Sequence, residues 1–323
     1  MNRSGTGPIS LRISVTDRCG YRCLYCMPAE GVAARDRRDV LRFEEIVRFV
    51  RLARDRFGLT KVHLTGGEPL ARKSVEQLVG ALAALGLPDL ALTTNGARLA
   101  DRAEALKQAG LRRVNVSLDT LDPRRFEQLT RGGRLRDVLD GIDAAEAAGL
   151  TPIKLNAAVL RGVNDDEIAD LARFGMRRGL PVRFLELMPI GPAAERFDEW
   201  FVPAGRIQAK LSQAFELCPV ARPSGASSVG FQARSPDGLT GQIGLICSMT
   251  APFCGDCRRL RLAATGELIG CLARGNGADV RAMLRDPADG AEERLVRTIE
   301  ASLTTKRTDS KFPTTRLMGA VGG

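Results

Sequence analysis

The chain has 323 residues, 44% of them apolar and 27% charged, a formal net charge of +10 and only 5% aromatics, the balance of an ordinary globular protein long enough for one large domain or a domain plus an extension. No apolar run reaches the ~18 residues that crossing a bilayer requires, which excludes a helical membrane protein. The basic residues are mostly arginines spread along the chain, with no dense cluster interleaved with aromatics, which argues against a nucleic-acid partner and for solvated faces plus a phosphate site.

In chain order, apolar β-rich runs at 9–15, 61–64, 90–94, 113–118, 151–160 and 182–187 alternate with helical patterns at 43–57, 74–84, 101–109, 135–148 and 165–178. Gly58, Gly110, Gly149 and Gly179 fall where those helices should end. Six strands joined by helical crossovers predict an α/β fold of parallel βαβ units, a (βα)6 partial barrel with its site at the C-terminal ends of the strands. From about Gly191 the alternation breaks and residues 222–228 read as a loop, so the expected organisation is a barrel core over 1–190 and a C-terminal region over 191–323. The basic, Gly-rich end, 306–323, reads as a disordered tail. The first eight residues hold no signal-type apolar segment, so the expected location is the cytoplasm, where eight cysteines are expected as metal ligands or free thiols.

Three of those cysteines follow the first strand, in Cys19-Gly20-Tyr21-Arg22-Cys23-Leu24-Tyr25-Cys26. Three thiolates cannot complete the tetrahedron of a structural zinc, which takes four protein ligands. On a [4Fe–4S] cluster three thiolates leave one iron open for a small molecule. A zinc knuckle completed from elsewhere is the competing reading. Thr65-Gly66-Gly67-Glu68-Pro69 follows the second strand, where glycines let a backbone approach a ligand, although alone it would be an ordinary turn. A second triplet, Cys254, Cys257 and Cys271, has the spacing C-x2-C-x13-C and encloses Arg258, Arg259 and Arg261. Cations beside a metal site point to a bound anion. A zinc ribbon would need a fourth ligand, with Cys218 or Cys247 as candidates.

The first triplet, with an aromatic before its last cysteine, resembles the signature of the radical S-adenosylmethionine (SAM) superfamily. Two triplets around a βα barrel resemble, within it, the GTP 3′,8-cyclase family of molybdenum-cofactor biosynthesis. The likeness runs through Leu11–Cys19, Leu92-Thr93-Thr94-Asn95-Gly96, Val114–Asp119, Gly162-Val163-Asn164-Asp165, Arg183–Met188 and the closing Gly322-Gly323. The resemblance implies a radical-SAM partial barrel with a C-terminal extension that carries a second cluster. It implies two [4Fe–4S] clusters, one on Cys19, Cys23 and Cys26 and an auxiliary one on Cys254, Cys257 and Cys271, with SAM as cofactor. Tyr25, Gly67, Ser117 and Met188 would contact SAM. Arg12, His63, Thr93, Lys154, Arg259, Leu260 and Arg261 would contact GTP, and Arg183 would act near both ligands.

The implied reaction removes hydrogen from the ribose C3′ of GTP and joins that carbon to guanine C8. The implied partners are a reductant and the next enzyme of the pathway, cyclic pyranopterin monophosphate synthase, and a homodimer is allowed. One departure stands out: the family carries Arg where this chain has His63, its single histidine, expected at the mouth-facing end of the second strand. The residues before the closing diglycine also differ from the family's more usual ones. A peptide-modifying radical-SAM enzyme and a zinc-ribbon nucleic-acid-binding module are the rival readings.

Overall fold

The computed structural model describes residues 9–305 except 34, 276 and 289; the expected tail at 306–323 and its diglycine lie outside the described residues. The first half alternates as predicted, with one helix, α4, that the sequence reading did not expect: β1 (Ile9–Ser14), α1 (Phe43–Phe57), β2 (Leu59–Thr65), α2 (Val75–Ala83), β3 (Asp89–Thr94), α3 (Ala103–Gln108), β4 (Arg113–Ser117), α4 (Pro123–Thr130), α5 (Leu135–Ala147), β5 (Ile153–Val159), α6 (Ile168–Arg178) and β6 (Val182–Glu186). The second half, where the pattern broke, adds α7 (Pro192–Glu195), α8 (Phe197–Trp200), α9 (Ala204–Ala214), β7 (Glu216–Val220), β8 (Val229–Arg234), β9 (Thr240–Ile246), β10 (Arg259–Leu262), β11 (Glu267–Ile269), β12 (Gly277–Asp279), α10 (Arg281–Arg285) and α11 (Ala291–Thr304).

All the described strands share one sheet, in the order β12-β11-β10-β1-β2-β3-β4-β5-β6-β9-β8-β7. The predicted six parallel strands are flanked by two more, because β10 runs parallel beside β1 and β9 runs parallel beside β6. The segment after residue 190 therefore supplies both flanks of the barrel. The hairpins β10–β11–β12 and β9–β8–β7 then turn antiparallel.

Strand alternation sorts the side chains. On β5, Ile153, Leu155, Ala157 and Val159 are buried under the helices, while Lys154 and Asn156 point to the other face. The same parity puts Ile9, Leu11 and Ile13 outward and Arg12 inward on β1, and Leu260 outward and Arg261 inward on β10. Helices close the apolar layer: α1 presents Ile46, Phe49, Val50 and Ala53 to it, at helical spacing, and stops where Gly58 takes a left-handed conformation (φ 66°). Burying a side chain such as Phe49 or Leu64 contributes about 1.5–3 kcal/mol each.

Candidate functional site

The inward face is cationic. The register aligns Arg261, Arg12, His63 and Ala91 across β10, β1, β2 and β3, and Thr93, Asn115 and Lys154 across β3, β4 and β5. Arg183 on β6 pairs with Asn156 on one side and Gly244 on the other. The sheet is curled so that its flanks face each other, since Arg259 on β10 depresses the pKa of Arg183 on β6.

Burial and repulsion from neighbouring cations act together on Arg12, Arg183, Arg261 and Lys154. Arg12 is pushed well below the usual arginine range, first by burial and then by Arg261, Arg259 and Arg183. Burial, then Arg113 and Arg259, brings Arg183 to about 10. Burial and then Arg259 bring Arg261 to about 10, against the pull of the Cys257 and Cys271 thiols. Lys154 falls to about 8 by burial and then Arg183, Arg113 and Lys61. Nε of Arg12, Nε of Arg183 and Oδ1 of Asn156 are buried without a hydrogen-bond partner. Desolvated cations with unused donors are a site shaped for a polyanion.

His63 sits mid-strand on β2, opposite Arg12, and not at the mouth-facing end the sequence predicted. Arg183 donates to Asn115 Oδ1 at 2.7 Å, which turns Asn115 Nδ2 toward His63 Nε2 and Thr93 Oγ1, both at 3.1 Å. Nε2 therefore accepts, and it also lies 2.6 Å from the Thr93 hydroxyl. Burial, then Arg12, Arg113, Lys61 and Arg183, hold the imidazole well below its usual pKa, so it is neutral. Asn115, Lys61 and Arg113 also face this interior and were missed by the sequence reading. Their signal was a polar residue at each inward position of strands that are otherwise Val and Leu. Asp89, paired with Lys61 at 3.2 Å and Arg113 at 2.9 Å, offsets part of the charge near the N-terminal ends of β2 to β4.

The first cysteine loop lies past the C-terminal end of β1. The Thr65–Glu68 segment is fastened to it: Val15 N donates to Thr65 O at 2.9 Å, Gly67 N to Thr16 O at 2.7 Å and Glu68 N to Arg18 O at 2.7 Å. A Cβ on Gly67 would stand 2.4 Å from Arg18 O, so glycine is required by this close approach. The Glu68 carboxylate, buried, accepts from Leu70 N, Asn95 N and the Thr94 hydroxyl and ties β2 to β3. Tyr25 donates to Asp119 Oδ2 at 2.7 Å, and Asp119 Oδ1 accepts from Ala158 N at 2.8 Å. Ser117 is the last residue of β4, whereas Met188 lies two residues beyond β6.

Both triplets suit iron–sulfur clusters. Cys19 Sγ receives Tyr21 N at 3.4 Å and Asn95 Nδ2 at 3.7 Å, donors of the kind that stabilise a ligating thiolate. Cys23 feels both Cys19 and Cys26, which gathers the first triplet, and Arg261 feels both Cys257 and Cys271, which brings two thiols of the second to one cation. Among the described residues no three His, Cys, Asp or Glu side chains stand together at the spacing of a single metal ion.

The triplets are not at one barrel mouth. Cys19 to Cys26 follow β1, whereas Cys254 and Cys257 precede β10, which runs parallel to β1. Cys271 follows β11, which runs antiparallel to β10, and so it returns to the same end as Cys257. The two triplets thus occupy opposite ends of one barrel, with the cationic interior between them.

Residues 13–175 match the radical SAM superfamily and residues 180–312 match molybdenum cofactor synthesis C. A protein of Corynebacterium glutamicum named GTP 3′,8-cyclase is 44% identical over 90% of this chain and 80% of its own. One of Moorella thermoacetica with the same name is 43% identical over 97% of both chains. The chain belongs to the GTP 3′,8-cyclase family. The family's superfamily fold recurs in the structure of Streptococcus suis SuiB bound to S-adenosylmethionine, at 16% identity and a TM-score of 0.60, over 88% of this chain and 67% of that one. No described helix is long and apolar enough to cross a membrane.

Proposed function

We propose that this chain, as a radical SAM enzyme of molybdenum cofactor biosynthesis, cyclises GTP to 3′,8-cyclo-7,8-dihydroguanosine triphosphate. The observation that carries this reading is the polyanion-shaped interior between two cysteine triplets at opposite ends of one barrel. Cys19, Cys23 and Cys26 would hold one [4Fe–4S] cluster, and Cys254, Cys257 and Cys271 the other. With SAM bound, the first cluster supplies a 5′-deoxyadenosyl radical, an acceptor for a hydrogen atom. Tyr25, Gly67 and Met188 lie in the loops beyond the C-terminal ends of β1, β2 and β6, Ser117 ends β4, and there they would orient SAM.

The residues between the ends bind and orient GTP. Arg12, Lys154, Arg259 and Arg261 hold the triphosphate, whose roughly four negative charges relieve their mutual repulsion. Leu260 points outward from β10 and contributes through its backbone and the packing that fixes its neighbours. His63 and Thr93 act as neutral hydrogen-bonding groups. Arg183, held by Asn115, stands between the two ends and fixes the sugar near the SAM side. Holding C3′ at contact distance from the radical carbon, and C8 near C3′, makes hydrogen removal and ring closure a single-site event. Residues 1–190 serve as the SAM-binding core and 191–323 as the part that adds the auxiliary cluster. A reductant supplies the electrons, and the product passes to cyclic pyranopterin monophosphate synthase in the cytoplasm, with a homodimer as the working assembly.

Anaerobic reconstitution with iron, sulfide, SAM, GTP and a reductant tests the reading. Roughly eight irons per chain and GTP-dependent 5′-deoxyadenosine are expected. Cys23→Ala should abolish SAM cleavage, and Cys257→Ala should impair GTP turnover while leaving some uncoupled cleavage. Zinc in place of iron, or normal turnover by Cys257→Ala, would overturn it.

A further inference from the structure

Glu186, the last residue of β6, is 3% exposed and its carboxylate accepts four hydrogen bonds. Oε1 takes Ala204 N, the first residue of α9, at 2.6 Å and the Thr250 hydroxyl at 2.5 Å. Oε2 takes Met249 N at 2.7 Å and Thr250 N at 3.0 Å. A buried carboxylate facing three backbone N–H groups is a strong anchor, because each bond is charge-assisted.

What it anchors follows from the topology. β9 ends beside the C-terminal end of β6, and β10 begins beside the N-terminal end of β1, at the other flank of the parallel run. The chain between them, 247–258, therefore crosses from one flank to the other and from one end of the barrel to the other. It delivers Cys254 and Cys257 to the far end. Glu186 grips this strap at Met249 and Thr250, a few residues after it leaves β9 and four before Cys254. Along the chain Glu186 ends β6 two residues before Met188, on the SAM side.

We infer that Glu186 is a positioning residue, which sets the auxiliary cysteine loop relative to the SAM-side loop and thereby couples radical formation to the capture of the sugar. The inference rests on the proposed cyclisation of GTP. Glutamine cannot replace Glu186, because both oxygens face backbone donors and either amide orientation sets an NH2 against an N–H. Strap and rim then separate, while the thiols of both triplets remain.

The test uses fully reconstituted wild type, Glu186→Gln, Glu186→Asp and Thr250→Val. Wild type must first turn over GTP; if it does not, the functional reading fails before the inference is reached. The readouts are the ratio of 5′-deoxyadenosine formed to GTP consumed and the GTP-induced change in the electron paramagnetic resonance spectrum of the reduced auxiliary cluster. Glu186→Gln should raise the ratio on the order of tenfold, as a sub-ångström to 1 Å misplacement can, and abolish the GTP-induced change. The SAM-cluster spectrum should stay as in wild type. Thr250→Val, which removes one of the four bonds, should shift both readouts in the same direction by less, and Glu186→Asp should restore part of the coupling. Wild-type coupling and spectra in Glu186→Gln overturn the inference. If Glu186→Gln fails to fold, wild-type coupling and spectra in Thr250→Val overturn it.

Discussion

Arg12 and Arg261 stand opposite each other on neighbouring parallel strands, and after burial it is the charge of Arg261 that does most to push Arg12 below the usual arginine range. In the nucleotide-free protein this costs stability, and bound triphosphate would reverse the sign. Arg12→Met keeps the side-chain length and removes one charge. It should raise the Tm of the nucleotide-free protein by about 2–4 °C per kcal/mol of repulsion relieved. It should weaken GTP binding by about 1.5–3 kcal/mol. Thermal melts with and without GTP check both, and a drop in the nucleotide-free Tm would contradict the account.

Lys154 gives the interior a pH dependence. Its pKa in the fold is about 8, below the unfolded 10.5, so between those values the unfolded chain binds more protons. Stability of the nucleotide-free protein should therefore rise with pH across that window. GTP restores the charged form, so binding near pH 8 should take up a proton and weaken as pH rises further. Calorimetry in buffers of different ionisation enthalpy measures the uptake. Lys154→Arg should abolish it, and persistence of the uptake in that variant would assign it elsewhere.

His63 should show no titration between pH 6 and 8. A ring near pKa 6.5 touching phosphate would make GTP affinity fall across that range. The structure instead holds the ring neutral, its Nε2 accepting from Asn115. Because the folded pKa lies below the unfolded one, its contribution to stability is lost as pH falls below about 6.5. The chain has a single histidine, so one imidazole resonance reports directly. His63→Arg should lower the nucleotide-free Tm and tighten GTP, as one more cation joins the cluster.

Gly67→Ala should separate the Thr65–Glu68 segment from the cysteine loop. The added carbon would meet backbone, Arg18 O at 2.4 Å and Asp17 O at 2.7 Å, which cannot swing aside. A loss of about 1–3 kcal/mol in urea unfolding is expected, together with weaker SAM binding in the reconstituted protein. Unchanged stability and SAM affinity would show that the contact yields easily.

The barrel core was legible because two periods coincide with it. Alternation on β5 and helical spacing on α1 each report burial on one face, and burial is what sequence patterns encode. Helix α4 was missed, although Asp122 before Pro123 is a capping residue followed by a helix-starting proline, and Asp122 does accept from Arg125 N at 2.8 Å. Eight residues were too few for the period to show. The arginines of β10 were read as anion ligands, but their place beside Arg12 was not visible, because strand pairing across some 250 residues leaves no local trace. For the same reason nothing local to either triplet tells that they lie at opposite ends: only the parallel pairing of β1 with β10 separates them. Glu186 was hidden at the end of β6, where three of its four partners are backbone amides that any sequence supplies.

That same pairing has a consequence for synthesis. β1 and β2 have been made once residue 65 emerges, yet the other edge of β1 waits for β10, which ends at residue 262. At 5–20 residues per second the delay is roughly 10–40 s. A β1–β2 pair formed within it would have an open parallel edge whose inward side carries Arg12, and open edges recruit foreign strands. The charge of Arg12, which burdens the finished barrel until an anion meets it, is of the kind that discourages strand addition at such an edge.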